Sequence, residues 1–320
     1  MNLSQLLLLV LFALALLWLL AGLKTGRPDG RMVKVPPYRR LMFFIMPGRN
    51  ESIVYFEHML RSEKLEAWLA SLPSELQASV SHAFVAAINV GVAENPRMNQ
   101  FVVGQRLYAR NGRWITFSMK RKKLDKEAKL SVVKLLMQDG EAFDSLCGRM
   151  NGNIQDERSG RKTAADKEFD LFNALPRPLL ALAARLLRGL DHFNLLPAFF
   201  IKGDGMYTSV FLANLGSLDM GAGFHHLYEY GSCPLFLMVG KVEERPVVED
   251  GKVVVGRVLP IRFSYDERID DGLTARDGIR SFVRVLEDPE RWLGKPDGKG
   301  GWSRPMWPHP ADPEAASAGA

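Results

Sequence analysis

The stretch SYDERIDDGLTARDG, from Ser264 to Gly278, joins an apolar strand pattern to an apolar helix pattern. RVLPIRF before it is typical of a strand, and from Ile279 to Leu286 the apolar residues recur at helical spacing. Thr274, with Asp277 three residues later, predicts a helix start of the capping-box kind. Four acidic residues lie close to one arginine in this turn: Asp266, Glu267, Asp270 and Asp271 around Arg268. An acidic turn between two core-facing elements is a candidate functional site.

The composition is that of an ordinary globular protein large enough to bury a core. Of 320 residues, 47% are apolar and 24% charged. Two cysteines, Cys147 and Cys233, are too few for a disulfide framework, and we expect both to be reduced and buried. No metal site is expected, because His82, Asp191 and His192 occur at no ligand spacing.

The net charge of +6 is modest, and part of it lies in the run KRKK, Lys120 to Lys123. Nucleic-acid binding by a folded domain usually uses a basic face interleaved with aromatic residues. The sequence has no such pattern, so nucleic acid is not an expected partner.

The N-terminal segment is uncharged from Leu6 to Leu23, LLLLVLFALALLWLLAGL. This length approaches the roughly 20 residues that cross about 30 Å of hydrocarbon. A cleaved signal peptide is the alternative, but no Lys or Arg precedes the run, and it exceeds the usual apolar region of about 7–15 residues. The sequence therefore predicts a transmembrane anchor over residues 1–23.

The segment that follows the anchor is strongly basic and carries a single acid, Asp29. Its basic residues are Lys24, Arg27, Arg31, Lys34, Arg39 and Arg40. Positive charge stays on the cytoplasmic side of a membrane and also attracts anionic headgroups. We expect a single-pass protein whose C-terminal domain is cytoplasmic, with the membrane as a partner.

The rest of the chain divides into three parts. Residues 24–39 form a basic linker, because VKVPPYRR is too rich in proline for a helix. Residues 40–293 alternate strands and helices, which predicts an α/β domain. One predicted helix runs from Ser74 to Pro96. A second, apolar helix contains Arg185 and Arg188, and these charges make it unsuitable for spanning a membrane. Residues 294–320, rich in Gly, Pro and Ala, are expected to be disordered.

Four strings in this domain resemble the catalytic domain of the 2-oxo acid dehydrogenase acyltransferases and, more distantly, chloramphenicol acetyltransferase. They are ENPRMNQFVVGQRLYARNGRWITFSMKR, SVFLANLGSLDMGAGF, LFLMVGKVEERPVVEDGKVVVG and IRFSYDERIDDGLTARDGIRSFVRVLEDPERWL. The resemblance covers Arg40 to Leu293. It implies a two-layer α/β sandwich that forms a homotrimer, with the active site between subunits and coenzyme A entering from one side.

A lipoyl domain normally precedes this catalytic domain in the family. Between Leu23 and Arg40 there is no room for one. We therefore expect no lipoyl group and no role as the lipoyl-carrying core of a dehydrogenase complex.

The family motif His-x-x-x-Asp-Gly falls on Glu267 to Gly272, with Glu267 at the histidine position. A histidine suits proton removal from a thiol near neutral pH. A carboxylate, with an ordinary pKa near 4.3, is a weak base towards a thiol near 8.5 unless burial or neighbouring carboxylates raise its pKa. Asp266, Asp270 and Asp271 are candidates for that effect, and Arg268 would oppose it.

The rest of this motif is retained. Asp271 matches the motif aspartate, which by resemblance fixes the turn by bonding an arginine. Gly272 matches the turn glycine, and the resemblance places it with Gly216 among the coenzyme A-binding residues.

A second departure concerns the serine that stabilises the oxyanion in the family motif Ser-Asn-Leu-Gly. Ala213 occupies its position, followed by Asn214, a catalytic candidate. Losing one oxyanion donor typically costs about 10²–10³ in rate. Ser209, on the same strand, lies roughly 13 Å away at 3.3 Å per residue and cannot replace it.

The pair His225-His226 is the other possible source of a base, and His226 is the catalytic candidate. The alternative is an interior or interface role for one of them, because adjacent residues on an extended chain point to opposite sides.

Three functions remain open from the sequence. The first is a membrane-anchored acyltransferase that moves an acyl group from acyl-CoA to a thiol, hydroxyl or amine acceptor. The second is a catalytically impaired homologue, a trimeric scaffold or a binder of coenzyme A or acyl groups at the membrane. The third is a peripheral lipid-binding protein. The retained Asp271-Gly272 turn favours the first.

Overall fold

The computed structural model describes residues 2–121, 130–159 and 174–309. The helices within these ranges are α1 Leu3–Leu23, α2 Pro37–Ile45, α3 Glu63–Ser71, α4 Val80–Glu94, α5 Phe143–Arg158, α6 Arg177–His192, α7 Ala198–Gly203, α8 Gly272–Glu287 and α9 Pro289–Leu293. The strands are β1 Gly30–Met32, β2 Ile53–Arg61, β3 Gln100–Val103, β4 Arg106–Arg110, β5 Arg113–Lys120, β6 Leu130–Met137, β7 Val210–Asn214, β8 Leu235–Val239, β9 Glu243–Glu249 and β10 Lys252–Asp266.

The long strand β10 organises a seven-stranded mixed sheet of order β2-β10-β8-β7-β5-β6, with β9 also paired to β10. Its first half pairs with β9, and its second half lies between β2 and β8, all antiparallel. Strands β5, β7 and β8 run parallel. A smaller antiparallel sheet has the order β1-β4-β3.

Two helices, α4 and α8, cover one face of the large sheet and form the core with it. Leu259, Ile261 and Phe263 of β10 face these helices, because side chains on a strand alternate between its two faces. The helices approach closely at Gly91, where a Cβ would lie 3.3 Å from the carbonyl oxygen of Gly278. A Cβ on Gly278 would lie 1.6 Å from Sδ of Met98, in the 3₁₀ turn that follows α4. The predicted α/β class is confirmed.

Two predicted helix starts are wrong. The helix expected from Ser74 begins at Val80, because Gln77 adopts a left-handed conformation, φ 49°, that ends a short 3₁₀ turn. Helix α8 begins at Gly272 rather than Thr274, because the Asp271 side chain accepts hydrogen bonds from the N–H groups of Leu273 and Thr274.

The segment 24–39, predicted to be a linker, contributes to the folded domain. Strand β1 pairs with β4, and helix α2 starts at Pro37. Proline is tolerated at the first helical position because the N–H it lacks would have no partner there.

Part of the tail predicted to be disordered also packs on the domain. Met306 is fully buried, and its N–H donates to the Glu141 carbonyl at 2.8 Å. Trp68 Nε1 donates to the Gly294 carbonyl at 3.0 Å. The burial of a few aromatic and apolar side chains is enough to order this proline- and glycine-rich segment. The average composition of the segment does not reveal these few contacts. Residues 310–320 lie outside the described residues.

Helix α1 has 21 residues and buries none of them. Within the described parts of the chain it is the one helix long and apolar enough to cross a membrane. Both cysteines are free and buried, as the sequence predicts.

Candidate active site

The acidic turn after β10 is held together by an ion pair that is fully enclosed. The Asp266 side chain is buried and accepts from Arg268 Nε at 2.9 Å and from Nη2 at 2.8 Å. The hydroxyl of Ser52 also donates to this carboxylate at 2.9 Å. Arg268 in turn donates to the carbonyls of Met46 and Pro47 at 3.1 and 2.8 Å. The two charges therefore satisfy each other and tie the turn to the chain after α2.

Asp270, on the other side of the turn, is balanced by two further arginines. Its carboxylate lies 3.3 Å from Arg39 and 3.4 Å from Arg97, and it accepts from Thr274 Oγ1 at 2.6 Å and the Asp271 N–H at 2.9 Å. Partial burial acts to raise the pKa of Asp270, but these hydrogen bonds and arginine charges outweigh it, so the pKa lies below its usual value.

Asp271 caps helix α8, and no arginine in the described ranges bonds its carboxylate. Its Oδ1 accepts from the N–H groups of Leu273 and Thr274 at 3.1 and 3.2 Å. The expected aspartate–arginine bond is made by Asp266 instead. The physical reason is position: Asp271 directly precedes the free N–H groups of the first helical turn, which a carboxylate satisfies well.

Glu267 is the one acidic residue of this group whose side chain forms no hydrogen bond or ion pair with the described residues. Its backbone is fixed: the N–H donates to the Ser52 carbonyl at 3.0 Å, and its carbonyl accepts from Arg39 at 3.5 Å. The exposed side chain lines a cleft of 410 Å³. The other residues that line it are Tyr38, Arg39, Met42, Met46, Val54, Phe56, Tyr265, Arg268, Asp271 and Gly272.

The charges around Glu267 differ from the sequence expectation. Asp266, Asp270 and Asp271 are each balanced by arginines or by helix N–H groups. Little uncompensated negative charge is left to act on the Glu267 carboxylate. The side chain combines exposure to the cleft with a fixed backbone, which suits a group that accepts a proton from a bound molecule.

The residues of the second motif lie on opposite faces of strand β7. Ala213 faces away from the helices, in an apolar cluster with Phe211, Phe236 and Met238. Asn214 is engaged structurally: its Nδ2 donates to Ser81 Oγ of α4 at 3.0 Å, and its Oδ1 accepts from the Ser217 N–H at 3.2 Å. These two bonds hold the Asn214 side chain between α4 and the turn after β7, and its catalytic role stays a prediction.

The two glycines expected to bind coenzyme A have different surroundings. A Cβ on Gly216 would lie 2.4 Å from the Gly240 carbonyl oxygen, so close backbone packing explains this glycine. Gly272 has open space around it and lines the Glu267 cleft. Ser209 Oγ accepts from the Trp114 N–H at 3.0 Å, which ties it to β5.

Within one chain, Ala213 and Glu267 do not come together. Ala213 pairs with Met238 of β8, whereas Leu235 of β8 pairs with Tyr265, two residues before Glu267. Along the strand direction, Ala213 and Glu267 are therefore five residues apart, which is roughly 16 Å at 3.3 Å per residue. Across the sheet, they are two strands apart, with about 4.8 Å between neighbouring strands. A site that uses both positions needs a second subunit.

His225 and His226 stack on each other, which contradicts the expectation that they point to opposite sides. Their ring centroids are 4.7 Å apart at 21°, and His225 stacks on Phe236 at 4.1 Å. The His225 Nδ1 also contacts the carbonyl of His226 at 2.7 Å, which fixes the orientation of this ring. Neither imidazole lines the Glu267 cleft. Across the described ranges, no three His, Cys, Asp or Glu side chains are grouped to hold a metal ion.

Helix α2 supplies site residues that sequence reasoning missed. Tyr38 and Met42 form one wall of the cleft, and Arg39 bonds both Asp270 and the Glu267 carbonyl. The signal was present as apolar residues at positions i, i+4 and i+7, namely Tyr38, Met42 and Ile45, after a proline at the first helical position.

The fold of this chain, a mixed sheet with two helices on one face, is similar to that of dihydrolipoamide acetyltransferase catalytic cores. The probable dihydrolipoamide acetyltransferase of Listeria monocytogenes has a TM-score of 0.54 and 13% identity, covering 80% of this chain and 94% of that one. The dihydrolipoamide acetyltransferase of Azotobacter vinelandii has a TM-score of 0.53 and 18% identity, covering 82% and 94%. These likenesses establish the fold.

The family resemblance is confirmed over the last third of the domain. Residues 208–294 match the model of the 2-oxoacid dehydrogenases acyltransferase (catalytic domain). The dihydrolipoyllysine-residue acetyltransferase component of the pyruvate dehydrogenase complex of Bacillus subtilis is 37% identical over 83 residues, which are 26% of this chain and 18% of that protein. Its counterpart from Staphylococcus aureus strain Mu50 is 35% identical over 82 residues, 26% and 19% of the two chains. The chain thus spans less than a fifth of these relatives' length.

Proposed function

We propose that this protein is a membrane-anchored acyltransferase that moves an acyl group from acyl-CoA to an acceptor, with Glu267 as the base. One observation carries the proposal: the Glu267 side chain has no described partner and lines a cleft, while every neighbouring carboxylate is engaged. The similarity of residues 208–294 to acyltransferase catalytic domains supports the reaction class.

A carboxylate base at Glu267 favours an amine as the acceptor over a thiol or a hydroxyl. A thiol has to lose its proton to become the nucleophile, and a carboxylate is a weak base for that step. An amine attacks in its neutral form, and its proton becomes acidic only after the new bond has placed a positive charge on nitrogen. A carboxylate is basic enough to remove that proton.

The proposed reaction balances without a further reactant. The amine nitrogen attacks the thioester carbonyl, a C–N bond forms and the C–S bond breaks. Glu267 takes the proton from nitrogen and returns it to the coenzyme A thiolate. The products are an amide and free coenzyme A.

A transfer assay on the full chain in detergent tests this function. We expect acetyl-CoA or octanoyl-CoA with a small primary amine to give more acylated product than the same donor with a small thiol, measured by mass spectrometry against protein-free samples. More thioester than amide would contradict the amine acceptor while leaving acyl transfer in place. No product with any acceptor would contradict the enzymatic function.

The second candidate is a catalytically impaired scaffold, or a binder of coenzyme A or acyl groups, at the membrane. Ala213 favours it, because this side chain offers no hydrogen-bond donor and lies in an apolar cluster. Calorimetric titration of the full chain with coenzyme A tests the binding form of this candidate, and an absence of heat would leave only the scaffold.

Either function involves a homotrimer. The separation of Ala213 from Glu267 within one chain supports it, as do three apolar side chains in the segment that leads into β8: Met220, Phe224 and Tyr228 are 53%, 54% and 39% exposed. We expect sedimentation of the full chain in detergent to give a trimer at micromolar concentration. A stable monomer would contradict a site shared between subunits.

The membrane attachment of the proposal rests on α1 and on the basic residues after it. With the domain in the cytoplasm, protease added outside right-side-out vesicles is expected to leave the domain intact. Digestion from outside would reverse the proposed orientation.

A further inference from the structure

Helix α6 carries a stripe of leucines with nothing packed over it among the described residues. Leu179, Leu182, Leu186 and Leu190 recur at three- and four-residue spacing, and their exposed fractions are 51%, 51%, 58% and 40%. Of its 16 residues only Asp191 is buried. Single exposed leucines are normal on soluble proteins, but a continuous stripe marks a contact surface.

The opposite face of α6 is basic. Arg177, Arg185 and Arg188 are exposed, and none forms an ion pair with a residue in the described ranges. A leucine face combined with an arginine face is typical of helices that lie in the interface of a bilayer, with cations near anionic headgroups.

The C-terminal end of α6 is fastened to the chain that leaves helix α1. Arg27 pairs with Asp191 of α6 at 2.9 Å and donates to Asn194 Oδ1 at 3.1 Å. Asn194 Nδ2 donates to the carbonyl of Lys24 at 2.8 Å, one residue after α1 ends. The Arg27 and Asp191 side chains are nearly inaccessible, so water competes weakly for these bonds.

Helix α1 itself touches the same region. Trp18 packs edge-on against Phe193 with ring centroids 6.5 Å apart, and Arg106 donates to the carbonyl of Gly22. If α1 spans the membrane, these contacts hold one end of α6 at the level where α1 leaves the hydrocarbon.

Further apolar side chains extend this surface. A groove of 610 Å³ connects α1 to α2, and its lining includes Trp18, Phe44 and Phe193. Phe199 of α7, a few residues after α6, is 75% exposed. The groove therefore joins the anchor and α2 to the C-terminal end of α6, where His192 lines it.

We propose that α6 lies in the headgroup region of the bilayer, with its leucine stripe towards the acyl chains and its arginines towards anionic headgroups. This rests on the membrane attachment under the proposed function. The domain would then have two attachments, α1 through the bilayer and α6 on its surface. Helix α2, which forms a wall of both the groove and the Glu267 cleft, would lie between the membrane and the candidate active site.

Fluorescence quenching on the full chain in vesicles of phosphatidylcholine and phosphatidylglycerol tests this placement. An environment-sensitive fluorophore is attached at Leu186→Cys, in the stripe, or at Ala181→Cys, an exposed position on the arginine face of the same helix. The native cysteines are buried, which favours selective labelling. We expect spin-labelled lipid to quench the Leu186 probe several-fold more than the Ala181 probe, and aqueous iodide to show the reverse order.

Two results would overturn the proposal. A Leu186 probe that iodide quenches freely would place the stripe in water. A probe shielded from both quenchers would indicate that protein covers the stripe, such as a second copy of this chain. A third probe at Leu11→Cys reports on α1 separately: lipid quenching there, without quenching at Leu186, would leave the anchor in place and remove only the docking of α6.

Discussion

Replacing Glu267 by glutamine is expected to lower acyl transfer from acyl-CoA by about 10²–10⁴-fold, the usual contribution of a general base. Glutamine keeps the size of the side chain and its capacity for hydrogen bonds but cannot take a proton. Because the Glu267 side chain bonds no described residue, the variant is expected to keep its melting temperature. Transfer rates measured with saturating acceptor are the direct readout.

Asp277→Asn is the matched control for this experiment. Asp277 is an exposed carboxylate on α8 that does not line the cleft, and among the described residues it pairs only with Arg276 beside it. Its replacement removes one negative charge from α8, the helix that follows the turn, without touching the candidate base. An equal loss of activity in both variants would contradict a base role for Glu267.

The double replacement Glu267→His with Ala213→Ser separates the two candidate functions. If the site is impaired, the pair restores a matched base and an oxyanion donor, so transfer to a thiol is expected to increase by about 10²-fold or more. If Glu267 already serves an amine acceptor, transfer to the amine is expected to fall. A wild-type protein and a double variant that are both inactive, without coenzyme A binding, would leave the scaffold.

Replacing Asp266 by alanine is expected to destabilise the domain by about 3–5 kcal/mol, because the Arg268 charge stays buried without its partner. Ser52 would also lose the acceptor for its hydroxyl. Chemical or thermal unfolding of the full chain in detergent measures the loss. Asp277→Ala, which breaks a half-exposed pair, is the control and is expected to cost less than about 1 kcal/mol.

A combined Asp266→Ala and Arg268→Leu variant checks the physical cause. Removing both charges leaves no uncompensated ion, so this variant is expected to be more stable than Asp266→Ala alone. The single variant Arg268→Leu completes the comparison. If the double variant loses as much free energy of unfolding as the two single variants lose together, the loss comes from packing, and the ion pair does not hold the turn.

Local patterns in the sequence determined several features of this protein. The apolar run of α1, the apolar strand pattern at the end of β10 and the helical spacing of Phe282, Val283 and Leu286 each depend on residues close in the chain. Such signals are readable because backbone periodicity fixes which side chains share a face. The motif-like turn from Glu267 to Gly272 was recognisable for the same reason.

Only the tertiary structure decided how the charges and the site are arranged. Asp266, and not Asp271, takes Arg268, and Arg39 reaches Asp270 from a helix more than 200 residues earlier in the chain. Strand register places Ala213 far from Glu267. Burial of Trp68 and Met306 orders a tail whose composition favours disorder. These outcomes depend on which distant segments meet, and no periodicity or local propensity along the chain encodes that choice.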